Sequence, residues 1–197
     1  MHISEGILTW PVLASAAGAA AAATAVGFRQ LDHEAIPKTG ILSAAFFVAS
    51  LIHVPVGPSN AHLVLNGLLG LMLGWAAFPA ILVALVLQAV FFQYGGITTL
   101  GVNALIMALP AVICHHLFRP FIKGRQTVFL AAGFVCGALS VFLSGVLMGA
   151  VLVFSRENFF EVALLAVSAH IPVMIIEGLV TMFCVGFLKK VQPLLLE

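Results

Sequence analysis

Apolar residues run through this chain in long stretches, and the polar, proline and glycine positions gather into a few short breaks between them. A helix needs about 20 predominantly apolar residues to cross a bilayer core, and the first stretch, 10–28, is close to that length. The mixed-charge linker 29–38 follows, with Pro37 placed to begin a helix. The pattern then predicts a second span over 40–53 and a helix break over 55–62, where Pro55 and Pro58 interrupt it. A third span runs to about 76, a fourth starts at Pro79 and ends near 94, a fifth covers 100–118 and a sixth 127–154. The last apolar stretch is too long for one span, and His170-Ile171-Pro172 divides it. Residues 157–169 are read as a short surface helix and 172–188 as the seventh span, closed by Lys189-Lys190.

Composition agrees with that pattern. The 197 residues are 62% hydrophobic and 8% charged, against roughly a quarter charged in soluble domains, so the chain is expected to be an all-α integral membrane protein. No Asp, Glu, Lys or Arg occurs between Lys38 and Arg119, which leaves only short, uncharged loops between those spans. A net charge of +1 gives no footprint for nucleic acid. Cys114, Cys136 and Cys184 lack CxxC spacing and read as small apolar packing residues. Ala14, Gly18 and Ala22 repeat at four-residue spacing on the first span, a face suited to close helix approach inside the protein or from a partner, with internal packing the expectation.

Seven spans place the two ends on opposite sides. With the N-terminus outside and the C-terminus cytoplasmic, Arg29, Lys38, Arg119, Lys123, Arg125, Lys189 and Lys190 face the cytoplasm, and Arg156 alone lies outside. That is the asymmetry of the positive-inside rule. The expected location is the cytoplasmic (inner) membrane, as a single multi-pass domain over 1–197. No cleavable signal peptide is read, because Glu5 stands where a basic region belongs and the first apolar run is a full span. The bulky second residue, His2, should also keep Met1 in place.

A chain opening Met1-His2 offers a metal ion three nitrogens in sequence: the terminal amine, the His2 amide and Nδ1 of the His2 ring. Peptide planarity holds them near one plane, and square-planar nitrogen coordination favours Ni(II) or Cu(II). One corner stays open. On this topology the 55–62 break lies on the same face, and non-helical backbone near membrane depth must be buried in protein or line a cavity. His62 is the expected fourth ligand. The eight-residue opening segment, at about 3.3–3.6 Å per residue, reaches it easily. Ser59 and Asn60 are suited to cap the following helix or to fix an imidazole tautomer. His53 is the rival ligand. His115 and His116 lie on the cytoplasmic side and are expected to bond backbone carbonyls or contact headgroups; His170 shapes a turn, and His33 is a solvated loop residue.

Met1-His2-Ile3-Ser4-Glu5-Gly6 resembles the MHIxEG opening of the CbiM/NikM family, the substrate-binding components of energy-coupling-factor transporters for cobalt and nickel. His53-Val-Pro-Val-Gly-Pro-Ser-Asn-Ala-His62-Leu-Val-Leu-Asn66-Gly67, Leu87-Gln88-Ala89, Gly95-Gly96-Ile-Thr-Thr-Leu-Gly101-Val-Asn103 and Ile176-Glu177-Gly178 are similar to further motifs of that family. The similarity spans essentially the whole chain. It implies seven helices with the amino-terminal segment inserted into the bundle, and ligands at the Met1 amine, the His2 amide and ring, and His62. Glu5, Gln88, Asn66, Asn103 and Glu177 then become candidates to hold the ligands or to gate the site; the amides serve equally as helix-packing glue, and Glu177 should be paired or solvated inside its span. Gly95-Gly96 is read as a tight external turn. The segment at His62 departs from the SHPTG-like form of some cobalt members, and the ion stays open between nickel and cobalt.

The sequence contains no GxxxxGK[ST] phosphate loop. The resemblance implies an external engine: a transmembrane coupling subunit, two cytoplasmic ATPase subunits and often a small accessory membrane protein. No cofactor is expected beyond the transported Ni(II) or Co(II). A stand-alone secondary permease is the nearest alternative, but residues 39–118 offer no carboxylate for an ion relay. An intramembrane metalloenzyme is the other; there is no HExxH, and four in-plane nitrogens leave no corner for substrate.

Overall fold

Helix α1 (Trp10–Arg29) begins with proline in its first turn, where the missing amide proton costs nothing. The computed structural model that follows it through the chain describes residues 2–56, 59–122, 124–155 and 160–196, with backbone only at 53–56, 59–61, 162–163 and 166. α1 buries Ala20, Thr24 and Gly27. Its Ala14, Gly18 and Ala22 face outward, with nothing near the position a Gly18 side chain would take, so the expected internal packing of that stripe is not made. Small residues permit close approach without choosing the partner.

The second helix, α2 (Ile36–Ala49), starts at Pro37 as the sequence predicts but stops four residues before the expected end. Its last turn tightens: Ser50 N donates to Phe46 O, Leu51 N to Val48 O and Ile52 N to Ala49 O. The chain then forms an antiparallel hairpin of β1 (His53–Val56) and β2 (Ser59–His62), with His53 opposite His62. The purely helical expectation is corrected here, since a two-stranded ribbon replaces the irregular break. Leu63 N extends the ribbon by donating to Ile52 O at 3.1 Å.

Leu65 takes a left-handed conformation (φ 56°) that turns the chain into α3 (Asn66–Leu73). Gly74, also at φ 56°, ends α3 after eight residues, and α4 (Ala77–Phe92) runs back. Counted by length and composition, 66–92 is one of five segments apolar and long enough to cross a membrane; the others are Trp10–Arg29, Leu100–Phe121, Gln126–Ser155 and Val167–Val191. Yet 66–92 folds on itself. His62 just before α3 and Gln88 near the end of α4 both meet His2, whereas Gly74 abuts His115 towards the far end of α5.

α5 (Leu100–Phe118) is the central helix, packed against α1, α3, α4 and α6. A side chain on Gly70 of α3 would overlap the backbone of Ala111, so the two helices touch backbone to backbone. α6 (Gln126–Ser155) lies along α8 (Ile171–Val191), and the short α7 (Phe160–Ala169) joins them, close to the expected pattern. Phe46, Phe78, Ile81, Leu85, Ile106 and Met107 fill the interior. Ile41, Phe91, Phe154, Phe183 and Phe187 point outward, as in a protein whose solvent is lipid. In that solvent, burial gives helices little hydrophobic gain, so close packing and internal hydrogen bonds carry the association. Asn66 shows this: its amide donates to Met107 O and Ser144 Oγ and accepts from Ser140 Oγ, tying α3 to α5 and α6.

Candidate metal centre

Residues 2–9 are held across the tops of three helices. Ile3, 3% exposed, is clamped by Asn103 of α5 in both directions: Ile3 N donates to Oδ1 at 2.9 Å, and Nδ2 donates to Ile3 O at 3.1 Å. Further along, Thr9 N donates to Ser155 Oγ of α6 at 2.9 Å. Glu5 accepts from Thr98 N at 3.2 Å, and its side chain lies where a Gly96 side chain would be. Gly96 has φ 152° and Gly95 φ 77°, so the pair does make the expected turn. It also leaves room for the amino-terminal segment, a role its sequence gave no reason to expect.

This anchoring delivers the His2 ring to Gln88 and His62. His2 Nε2 lies 2.7 Å from the Gln88 amide oxygen, and His2 Nδ1 lies 3.0 Å from His62 Nε2. On its other side His62 Nδ1 donates to Leu63 O at 2.8 Å. Carbonyl oxygens only accept, so each outer contact fixes a tautomer. His62 carries its ring proton on Nδ1, and His2 carries its proton on Nε2. With the Gln88 oxygen toward the ring, the two nitrogens that face each other at 3.0 Å both present lone pairs, an arrangement suited to a cation between them. Burial, followed by the neighbouring positive charge of the chain terminus, lowers the His2 pKa from 6.5 to about 3, partly offset by the Gln88 bond; His2 is thus neutral and ready to coordinate. Tyr94 closes one side, its ring parallel to His62 within 4° and 6.4 Å away, and 5.7 Å from His2.

The 3.0 Å spacing has a coordination meaning. Metal–nitrogen bonds of about 2.0–2.1 Å put adjacent corners of a square plane about 2.8–3.0 Å apart and opposite corners about 4 Å apart. His2 Nδ1 and His62 Nε2 thus fit adjacent corners. In a chelate of amine, amide and Nδ1 the corner left open is adjacent to Nδ1, and the 3.0 Å spacing of His62 Nε2 from Nδ1 is compatible with that corner.

Met1 lies outside the described residues, as do the side chains of His53, Ser59 and Asn60. Among the described residues no three His, Cys, Asp or Glu side chains converge as metal ligands. Asn66 belongs to the helix-packing network rather than to the imidazole pair. Glu177 is fully buried on α8, and its carboxyl accepts from Val64 N and, at 3.0 Å, from Leu65 N. It thereby satisfies amides at the start of α3 and pins the segment that follows His62. His115 Nδ1 donates to Gly70 O at 2.9 Å, the expected carbonyl contact. Tyr94 and Thr98 were not singled out by sequence, since a loop tyrosine and a backbone amide carry no distinctive pattern.

A bundle of apolar helices closed over two facing imidazoles falls in the class of multi-pass membrane components that handle transition metals. The model of the cobalt uptake substrate-specific transmembrane region, CbiM, matches residues 2–195. The chain is 43% identical over 196 residues to a Haemophilus influenzae protein provisionally named a metal transport protein, covering 98% of this chain and 95% of that one. It is 38% identical over 115 residues to the fused nickel transport protein NikMN of Rhodobacter capsulatus, covering 55% of this chain and 33% of that protein. The fold matches the crystal structure of a truncated transition metal transporter with a TM-score of 0.79 at 26% identity, covering 96% of this chain and 99% of that one. The chain belongs to the CbiM family of cobalt uptake substrate-specific transmembrane regions.

Proposed function

We propose that this chain is the substrate-binding subunit of an energy-coupling-factor transporter, capturing Ni(II) or Co(II) with high affinity outside the cytoplasmic membrane. The ion would take the Met1 amine, the His2 amide and Nδ1, and His62 Nε2. The observation that carries this reading is the pair of opposed lone pairs 3.0 Å apart, on tautomers set by Leu63 O and Gln88. In that tautomeric state a cation between the rings relieves the opposition of their lone pairs.

Seven crossings, by α1, α2, α3, α4, α5, α6 and α8, fit the fold-back at Gly74 and the charge asymmetry, with the amino terminus outside. Energy would come from a transmembrane coupling subunit and two cytoplasmic ATPase subunits, with a small accessory membrane protein alongside. The outward small-residue face of α1 offers a partner helix a place for close approach. A stand-alone permease would need a relay. The buried carboxyl among the described residues, Glu177, is already occupied by two backbone amides.

Calorimetric titration of untagged protein with Ni(II), Co(II) and Zn(II) tests the reading. Nickel or cobalt should bind well ahead of zinc, which prefers a tetrahedron. Equal or tighter zinc binding would overturn the planar site.

A further inference from the structure

The His2 ring has one proton and two places to keep it, and the two places have different partners. Nδ1 faces His62 Nε2 and Nε2 faces Gln88. His62 has no such choice, because Leu63 O holds its proton on Nδ1 whether or not an ion is bound. With an ion on Nδ1, the His2 proton must sit on Nε2 and needs an acceptor, which the Gln88 amide oxygen supplies at 2.7 Å. In that orientation the amide nitrogen of Gln88 is buried without a hydrogen-bond partner among the described residues. The side chain therefore gives up one bond while the ring is arranged for an ion.

Without an ion, the opposed lone pairs are relieved if the proton moves to Nδ1 and is donated to His62 Nε2. His2 Nε2 is then bare and needs a donor. We propose that Gln88 is the tautomer switch of the metal centre, turning its amide over so that nitrogen faces His2 in the empty site and oxygen faces it in the loaded one. This rests on the reading of His2 and His62 as ligands. No proton leaves the His2 ring in the exchange: it shifts from Nδ1 to Nε2 as the ion arrives and returns as the ion departs. A primary amide serves both states, since it carries an acceptor and a donor on one rotatable group. Glutamate can only accept and would hold the ion-ready tautomer; methionine has a similar length and supplies neither strong group. Gln88 would thus be a positioning residue that keeps both states satisfied, so that the ion is bound yet can be released.

The test is the 15N spectrum of imidazole-labelled, untagged protein, in which the two neutral tautomers give distinct shifts, read without ion and with Ni(II). In the wild type, His2 should carry its proton on Nδ1 when empty and on Nε2 when loaded. Gln88→Glu should show the Nε2 proton in both states and release nickel at least roughly tenfold more slowly, the scale of a charge-assisted hydrogen bond. Gln88→Met should bind about tenfold more weakly, because the loaded ring loses its acceptor. A wild-type His2 that keeps its proton on Nε2 without ion overturns the switch even if every variant fails to fold. Release from Gln88→Glu within twofold of wild type does the same. Wild type that binds no nickel sinks the ligand assignment instead, which the titration reads separately.

Discussion

At the scale of single residues, His62 and Asn103 do different work and should fail differently. His62 presents a lone pair from the segment before α3, away from the helix-helix interfaces, so His62→Ala should leave the helical fold intact by circular dichroism and weaken nickel or cobalt binding by more than about 100-fold, beyond the effect of losing an outer-shell partner. Unchanged affinity would remove it from the ligand set. Asn103 touches no ion but holds Ile3 by two hydrogen bonds. Asn103→Leu should cost about 1–3 kcal/mol of docking and weaken binding roughly tenfold or more. Proton competition acts on the same residues. The docked His2 pKa is about 3, below the free value near 6.5. Docking is therefore fully supported above about pH 6.5 and loses support as pH falls toward 3. Ion binding should weaken from a higher pH still, because the terminal amine, with an ordinary pKa of about 7.7–8.0, must also shed its proton. Titrations between pH 8 and 6 should show affinity falling steadily; a flat profile would contradict these donors. The meeting of His2 and His62 could be read from the sequence because the expected topology puts both on one face, within reach of the opening segment. Gln88 could be read only from its motif, since an amide inside a span is as often packing glue.

At the scale of elements, the glycine turn 95–96 and the amino-terminal segment are complementary surfaces. A methyl group on Gly96 would overlap the Glu5 side chain, at a φ of 152° that side chains rarely adopt. Gly96→Ala should lift the segment and weaken ion binding. Adding Glu5→Ala should restore part of the loss, leaving the backbone strain, and this non-additivity is the signature of direct contact. Strictly additive losses would mean that the two do not meet. Glycine pairs signal turns, but nothing local says what packs into the space they leave. The same limit explains α2. Its true end at Ala49 is followed by Leu51, Ile52, Val54 and Val56, residues as apolar as a span, and only the pairing of His53–Val56 across the hairpin shows that the helix has stopped. α5 was legible almost to the residue, because Gly95-Gly96 and the charged 119–125 segment mark both of its ends.

At the scale of the whole molecule, the chain's own beginning is held against the proposed seven-crossing bundle by Asn103 of α5 and Ser155 of α6. Apolar length alone yields five crossings, since α2 has 14 residues and α3 only eight. The proposed seven adds α2 and counts α3 and α4 separately, on the fold-back at Gly74. Single cysteines at Asp32 and Thr98, in a cysteine-free background, should react with a membrane-impermeant thiol reagent from opposite sides, Thr98 from outside and Asp32 from within. Labelling of both from one side would contradict the topology. The most direct measurement of the central claim compares nickel and cobalt titrations of three proteins: untagged, extended by one residue before Met1, and tagged after Glu197. The extension turns the Met1 amine into an amide and pushes atoms into a segment whose Ile3 is already buried. The account predicts that the untagged and C-terminally tagged proteins bind alike, while the extended protein folds and binds neither ion with high affinity. Full affinity in a protein that keeps its amino-terminal extension would contradict it.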